Sequence, residues 1–130
     1  MFQIDSLSRI PVYEQLIEQM EKFILTGILH AGDQLPSVRS LSVELSVNPN
    51  TIQKAYGELD RRGIIYSIPG IGCFVSQDAA KVLRTFARRK LDDFDTLVGE
   101  LLIAGVDAAE LIARLEKLQQ KSDNGGVNHD

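Results

Sequence analysis

Apolar side chains recur at two different periods in this chain, and the order in which the periods appear outlines a fold. In VYEQLIEQMEKFILTG, Tyr13, Leu16, Ile17, Met20, Ile24 and Leu25 fall at helical spacing with Glu14, Glu18, Glu21 and Lys22 opposite, which predicts an amphipathic helix. Pro11 suits its first position and Gly27 its end. Gly32-Asp33 followed by Pro36 predicts a turn. Ser37 is then a good N-cap for a short helix with Val38, Leu41 and Leu45 on one face. After a brief break at Ser46-Val47-Asn48, another helix opens with Asn48 as cap and Pro49 as first residue, where the missing N–H costs nothing. Two short apolar-faced helices joined in this way have the pattern of a helix-turn-helix.

Beyond Gly63 the period shortens. The run Ile64-Ile65-Tyr66-Ser67-Ile68 is β-branched and aromatic, Pro69-Gly70-Ile71-Gly72 is a turn, and Cys73-Phe74-Val75 returns. A hairpin directly after a helix-turn-helix reads as a wing. Helical spacing then resumes: Leu83, Ala87, Leu91, Phe94, Val98 and Leu101 predict one long helix, stopped by Gly105. Asp107 can cap a second helix carrying Leu111, Ile112, Leu115 and Leu118. Two amphipathic helices of this length cannot enclose a core alone, so they must pack on the first domain, on a partner chain, or on both. The ending KSDNGGVNHD is polar and predicts a mobile segment. The expected fold is mostly α with a small β-hairpin. It comprises a winged helix-turn-helix domain over 1–78, a two-helix region over 79–121 and a flexible tail over 122–130.

The helix from Asn48 carries the candidate chemistry. A 100° step per residue gathers Ile52, Ala55, Tyr56 and Leu59 into a core-facing stripe. Asn50, Lys54, Gly57 and Arg61 fall opposite, flanked by Gln53 and Thr51. Asn and Gln can each bond an adenine edge bidentately, and Lys reaches guanine acceptors or phosphate. Recognition helices read bases with their N-terminal residues while the preceding helix crosses the backbone, which puts Arg39, in that helix's first turn, near phosphate or a base edge. A solvated outer face would show the same polar residues; the surrounding helix, turn, helix and glycine-tipped hairpin favour DNA.

Charge argues the other way. The chain has 130 residues and a formal charge of −4. Within 1–78, Arg9, Lys22, Arg39, Lys54, Arg61 and Arg62 are outnumbered by nine Asp and Glu. This balance motivates an alternative, a winged-helix module that binds protein instead of DNA. Composition is otherwise that of a globular protein, 44% hydrophobic and 25% charged. No apolar run is long enough to span a bilayer, and the N-terminus lacks the order of a signal peptide, so a cytoplasmic protein without membrane contact is expected. Cys73 is the lone cysteine, and His30 and His129 lack ligand-spaced neighbours, so no metal site is expected. Gly70-Ile71-Gly72 lacks the third glycine and the following helix of a dinucleotide loop. Asp92, Asp93 and Asp95 have no nucleophile beside them and follow Arg88, Arg89 and Lys90, which predicts surface pairs such as Arg88 with Asp92. No catalytic constellation is present; neither enzyme activity nor a cofactor is expected, and the sequence identifies no small-molecule effector.

Four stretches together resemble the GntR family of bacterial transcription regulators. They are Pro11-Val12-Tyr13-Glu14-Gln15-Leu16, Gly32-Asp33-Gln34-Leu35-Pro36-Ser37-Val38-Arg39, Val47-Asn48-Pro49-Asn50-Thr51-Ile52-Gln53-Lys54-Ala55-Tyr56 and Gly70-Ile71-Gly72-Cys73-Phe74-Val75. The short C-terminal part is similar to the YtrA-type subfamily, in which two helices replace a large effector domain and serve dimerisation. The resemblance implies a winged-helix homodimer on a palindromic double-stranded DNA operator. It also implies a repressor of its own operon, often one encoding an ABC transporter. Carried over by position, DNA contacts fall on Arg39, Asn50, Thr51, Gln53 and Gly70. The caps Ser37 and Asn48 stand with them, and helical geometry adds Lys54. Dimerisation falls on Leu83, Leu91, Phe94, Val98, Leu101, Leu111 and Leu115. The chain departs from the family at Pro49 and Ile71, where a basic residue is frequent, and at Ala31, where proline is usual.

Overall fold

The computed structural model describes residues 1–126, which fall into two compact units, one from Met1 to Leu83 and one beginning at Arg84. In the first unit, α1 (Val12–Leu25) turns Leu16, Ile17, Met20 and Ile24 into the core. Pro11 is its N-cap, one position before the expected one. The ten residues preceding it, for which the sequence suggests no role, are fastened to α1. Phe2 is buried with its ring 5.4 Å from that of Phe23. Gln15 is buried yet fully bonded: Oε1 accepts from the Asp5 N–H at 2.9 Å, and Nε2 donates to the carbonyls of Asp5 and Ile10 at 3.0 and 2.8 Å. Those bonds offset the cost of burying an amide. Gln19 exchanges a similar pair with the backbone of Gln3.

Helices α2 (Val38–Leu45) and α3 (Pro49–Arg61) form the helix-turn-helix. Ser37 Oγ accepts from the Ser40 N–H at 3.0 Å, and Asn48 Oδ1 accepts from the Asn50 N–H at 2.8 Å, so both caps satisfy N–H groups that have no partner within their helix. The turn between the helices is made by Ser46, in the left-handed region at φ 55°, ψ 44°. It is stapled by the Val47 N–H on the Ser42 carbonyl and by Ser42 Oγ on the Val47 carbonyl. The stripe expected on α3 is the one observed: Ile52, Ala55, Tyr56 and Leu59 are all buried. They meet α1 and Leu41 of α2 in one core with Ile64, Ile65 and Val75.

After Gly63 ends α3, strands β1 (Ile65–Ile68) and β2 (Gly72–Val75) pair antiparallel, Ile65 opposite Val75 and Ile68 opposite Gly72. The connection is a tight turn in which the Ile71 N–H donates to the Ile68 carbonyl and Gly70 takes φ 78°. Proline then glycine at the two central positions suits a type II turn. The segment read as a plain turn at 32–36 also runs along β2: Gly32 N–H bonds the Val75 carbonyl, Val75 N–H the Asp33 carbonyl, and Leu35 N–H the Cys73 carbonyl. Gln34 bridges Phe74 in the same arrangement.

Helix α4 (Ala79–Arg89) buries Ala79 and Leu83 in the first core, so that core extends past residue 78. The predicted long helix is instead two, α4 and α5 (Leu91–Ile103), parted at Lys90. There the Lys90 N–H reaches the Ala87 carbonyl three residues back, a tighter turn than the α-helical one. Basic Arg88 and Arg89 in the last turn of α4 and acidic Asp92 and Asp93 in the first turn of α5 each favour a helix terminus by opposing the helix dipole. The predicted Arg88–Asp92 ion pair is not among those of the described residues. In the second unit α5 ends at Gly105 (φ 96°), where the Val106 N–H reaches back to the Leu101 carbonyl, and α6 runs Ala108–Gly126. The helix thus includes the start of the stretch expected to be a flexible tail, whose last residues, 127–130, lie outside the described residues. Among the described residues no helix is long and apolar enough to cross a membrane.

Candidate nucleic-acid interface

The capped start of α3 gathers the candidate base-reading groups on one surface. Asn50 and Gln53 are exposed and Thr51 is half-buried. No side-chain hydrogen bond within the described residues occupies the amide of either Asn50 or Gln53, so both keep donors and an acceptor free for base edges. The unpaired N–H groups of this first turn add partial positive charge of the kind that favours phosphate. Arg39, in the first turn of α2, is exposed and has no ion pair among the described residues. Gly70 lies exposed at the wing tip, beside Ile71 at 62% exposure.

Ser37 and Asn48 are exposed but structural first. Their side-chain oxygens accept in capping; the Ser37 hydroxyl proton and the Asn48 amide donors remain for a partner. Lys54 does not stand with Asn50. Its Nζ lies 3.9 Å from the centre of the Tyr13 ring on α1, in a groove of about 400 Å³ that Glu14, Glu18, Glu21 and Glu58 also line. The helical wheel gives the direction in which Lys54 leaves the helix, whereas its flexible stem ends where an aromatic face and carboxylates attract it.

The cations at the C-terminal end of α3, Arg61 and the C-cap Arg62, are also engaged within the chain. Arg61 and Arg62 both hydrogen-bond Glu58, at 2.6 and 2.7 Å, and Arg62 extends to Glu21 on α1 at 3.1 Å. Hydrogen bonds from Arg61 and then Arg62 hold the Glu58 carboxyl below the usual carboxylate range, and the same carboxylate raises the Arg61 guanidinium. Tyr56, on the core side of α3, donates its hydroxyl to the Pro36 carbonyl at 2.7 Å, and burial pushes that phenol above its ordinary value.

In the second unit, Phe94, Val98, Leu101, Leu111 and Leu115 line one apolar groove of about 330 Å³ between α5 and α6. Leu97 and Leu102, which the three- and four-residue steps passed over, line it too. Leu91 is half exposed outside the groove. Leu83 departs from this set: it is 5% exposed and belongs to the core of the first unit, so it has little surface left for a partner chain.

Residues 12–75, which include α1, the helix-turn-helix and the wing, match the pattern described as bacterial regulatory proteins, gntR family. The HTH-type transcriptional repressor YtrA of Bacillus subtilis (strain 168) is 42% identical over 120 residues, spanning 92% of this chain and 88% of that protein. A GntR family transcriptional regulator from Listeria monocytogenes superposes with a TM-score of 0.70 at 34% identity, covering 88% of this chain and 98% of that one. The DNA-binding domain of AraR, solved in complex with operator ORX1, is 33% identical with a TM-score of 0.51, over 58% of this chain and 93% of its own. A capped recognition helix with its amides free, a wing beside it and an alignment that extends through both units lead to one assignment: the chain belongs to the gntR family of bacterial regulatory proteins, in its YtrA-type branch.

Proposed function

We propose that this DNA-binding regulator acts as a homodimeric repressor that recognises a palindromic operator and controls its own operon, one encoding an ABC transporter. It would work in the cytoplasm, where the chromosome is. The observation that carries the DNA reading is the amide pair Asn50 and Gln53, free among the described residues at the capped start of α3, together with an exposed Arg39 in the first turn of α2. Thr51 and the Asn48 amide supply further hydrogen bonds, and Gly70 brings the wing backbone to the duplex. The solved AraR domain on its operator supports the same use of this fold. The apolar groove of α5 and α6 supports dimerisation, because Phe94, Leu97 and Leu115 remain about half exposed in the single chain. A two-fold dimer places its recognition helices in major grooves about 34–36 Å apart, so half-sites should be centred roughly one helical turn from each other.

Fluorescence anisotropy with DNA from the protein's own promoter region tests the reading. Binding should be saturable, should prefer that DNA over scrambled DNA of the same length, and should weaken as salt rises, through release of counterions from phosphate. Affinity that ignores salt would instead favour a module that binds protein. Expression of the adjacent operon with and without the chain tests repression, and the neighbouring genes show whether a transporter is encoded.

A further inference from the structure

Residues 34–37 touch all three elements that face DNA in the reading above. The Gln34 side chain reaches the wing, where Nε2 donates to the Ile71 carbonyl at 3.1 Å. Pro36 receives the Tyr56 hydroxyl from the recognition helix. Ser37 caps α2, whose first turn carries Arg39.

Gln34 has the least evident structural need. Its residue is exposed, and its backbone already bridges Phe74. The side chain nevertheless runs on to the turn at the far end of the hairpin. The strand is shaped to admit it: Gly72 has φ 144°, and a Cβ built there would lie 2.6 Å from Gln34 Nε2. Past the last ladder pair, Ile68 opposite Gly72, the turn is closed by the Ile71–Ile68 bond, and the Gln34 amide adds an anchor to it from outside the hairpin.

We propose that Gln34 is a positioning residue for DNA binding, whose amide fixes the wing tip against the segment that enters α2 so that Gly70 and Arg39 are presented to the duplex together. The proposal rests on the DNA-binding reading and on a wing contact within it. Ordering the tip in the free protein removes a cost otherwise met on binding. An exposed hydrogen bond adds little to global stability, so the effect belongs in tip order and affinity, with melting unchanged.

The test compares the full-length wild type with Gln34→Met, which keeps the side-chain length and removes the donor. Hydrogen exchange in the free protein should quicken at the Ile71 and Gly72 amides and stay unchanged across α3, with Tm unaltered. Affinity for promoter DNA should fall about threefold to tenfold, the factor that one net hydrogen bond carries. In a Gly70→Ala background, where the turn is already strained, Gln34→Met should cost less than about twofold, because effects transmitted through one contact do not add. Gln34→Lys restores a donor and should return protection to the tip, which keeps the idea testable if Gln34→Met lowers Tm. Unchanged tip exchange, unchanged affinity, full additivity with Gly70→Ala, or no recovery in Gln34→Lys would each overturn the proposal. A wild-type chain that fails to bind promoter DNA would overturn the DNA reading as well, whereas normal wild-type binding with an equally tight Gln34→Met variant would overturn this proposal alone.

Discussion

Ser46 takes a backbone conformation that α1, α3 and α5 reserve for Gly27, Gly63 and Gly105. A side chain in the left-handed region costs roughly 1 kcal/mol, so Ser46→Gly should stabilise the first unit by about 0.5 kcal/mol or more after the added freedom of the unfolded chain is subtracted. Urea unfolding measures this directly. The sequence marks a break at Ser46-Val47-Asn48, but its left-handed residue is hidden there because no glycine announces it. Residue-scale reading succeeded where the backbone dictates the outcome: the caps Ser37 and Asn48, the Pro49 start and the buried stripe of α3. It did not foresee where the Lys54 ammonium rests in the free chain, which depends on Tyr13, far away in sequence. Two substitutions separate the cations. Arg39→Ala should weaken operator binding by about 1–3 kcal/mol, the range of one good base or phosphate contact, and leave Tm unchanged because the side chain is exposed and has no ion pair among the described residues. Lys54→Met should leave the salt dependence of binding almost unaltered while lowering stability by about 0.5–1 kcal/mol, as expected for a surface cation over a ring. Anisotropy and thermal melts on the two variants show whether the roles divide in this way.

Among the elements, α4 departs furthest from its sequence pattern. Apolar residues continue at helical steps from Leu83 to Leu101, and periodicity alone cannot show where such a stripe changes core. The break signal was present in the charges: Arg88-Arg89-Lys90 followed by Asp92-Asp93 suits one helix ending and another beginning, yet the same residues also suit surface pairs along a single helix. Ala79 and Leu83 therefore matter to the first unit, not to the appendage. A chain ending at Arg89 should unfold cooperatively, whereas one ending at Asp78 loses two buried side chains and melts lower. Leu83→Ala in the whole chain should cost about 2–5 kcal/mol, the usual cost of emptying a buried leucine site. Calorimetry on the two truncations and the point variant decides the matter, and an Asp78-terminated chain as stable as the Arg89-terminated one would return Leu83 to the second unit. The strand-like run of Gly32–Leu35 along β2 was illegible for a different reason. It is one bridge wide, and nothing in Gly-Asp-Gln-Leu alternates long enough to signal a strand.

For the whole molecule, the acidic balance acquires a physical meaning. Lys54, Arg61 and Arg62 are occupied by Tyr13, Glu58 and Glu21, so of the six Lys and Arg within residues 1–78 only Arg9, Lys22 and Arg39 are without such a partner among the described residues. Each phosphate neutralised contributes about −0.9 to the slope of log affinity against log salt, and a dimer using chiefly Arg39 and the α3 termini should show a slope of only about −2 to −4. Glu58→Gln releases Arg61, while Arg62 keeps Glu21, and should steepen it slightly. The ion pairs also titrate. Because the Glu58 carboxyl lies below its ordinary range when folded, its contribution is present at neutral pH and fades as pH falls through and below that range. The Tm difference between Glu58→Gln and wild type should shrink accordingly on acidification. If dimerisation uses the α5–α6 groove, the Arg89-terminated chain should be monomeric by light scattering, with operator affinity lower by about 10²-fold or more once two tethered half-site contacts become independent.

The Tyr56 phenol, closed against the Pro36 carbonyl, also gives the protein an optical reporter. The chain has no tryptophan, so tyrosines dominate its near-ultraviolet spectrum. A phenol whose ionisation is pushed up by burial stays neutral while the fold is intact and becomes tyrosinate when α3 leaves the segment before α2. Stability is therefore drained at alkaline pH, beyond the ordinary phenol range, where the unfolded chain can ionise and the folded one cannot. Following tyrosinate absorbance through a stopped-flow jump to high pH would time the release of the recognition helix, and Tyr56→Phe would remove that phase from the trace.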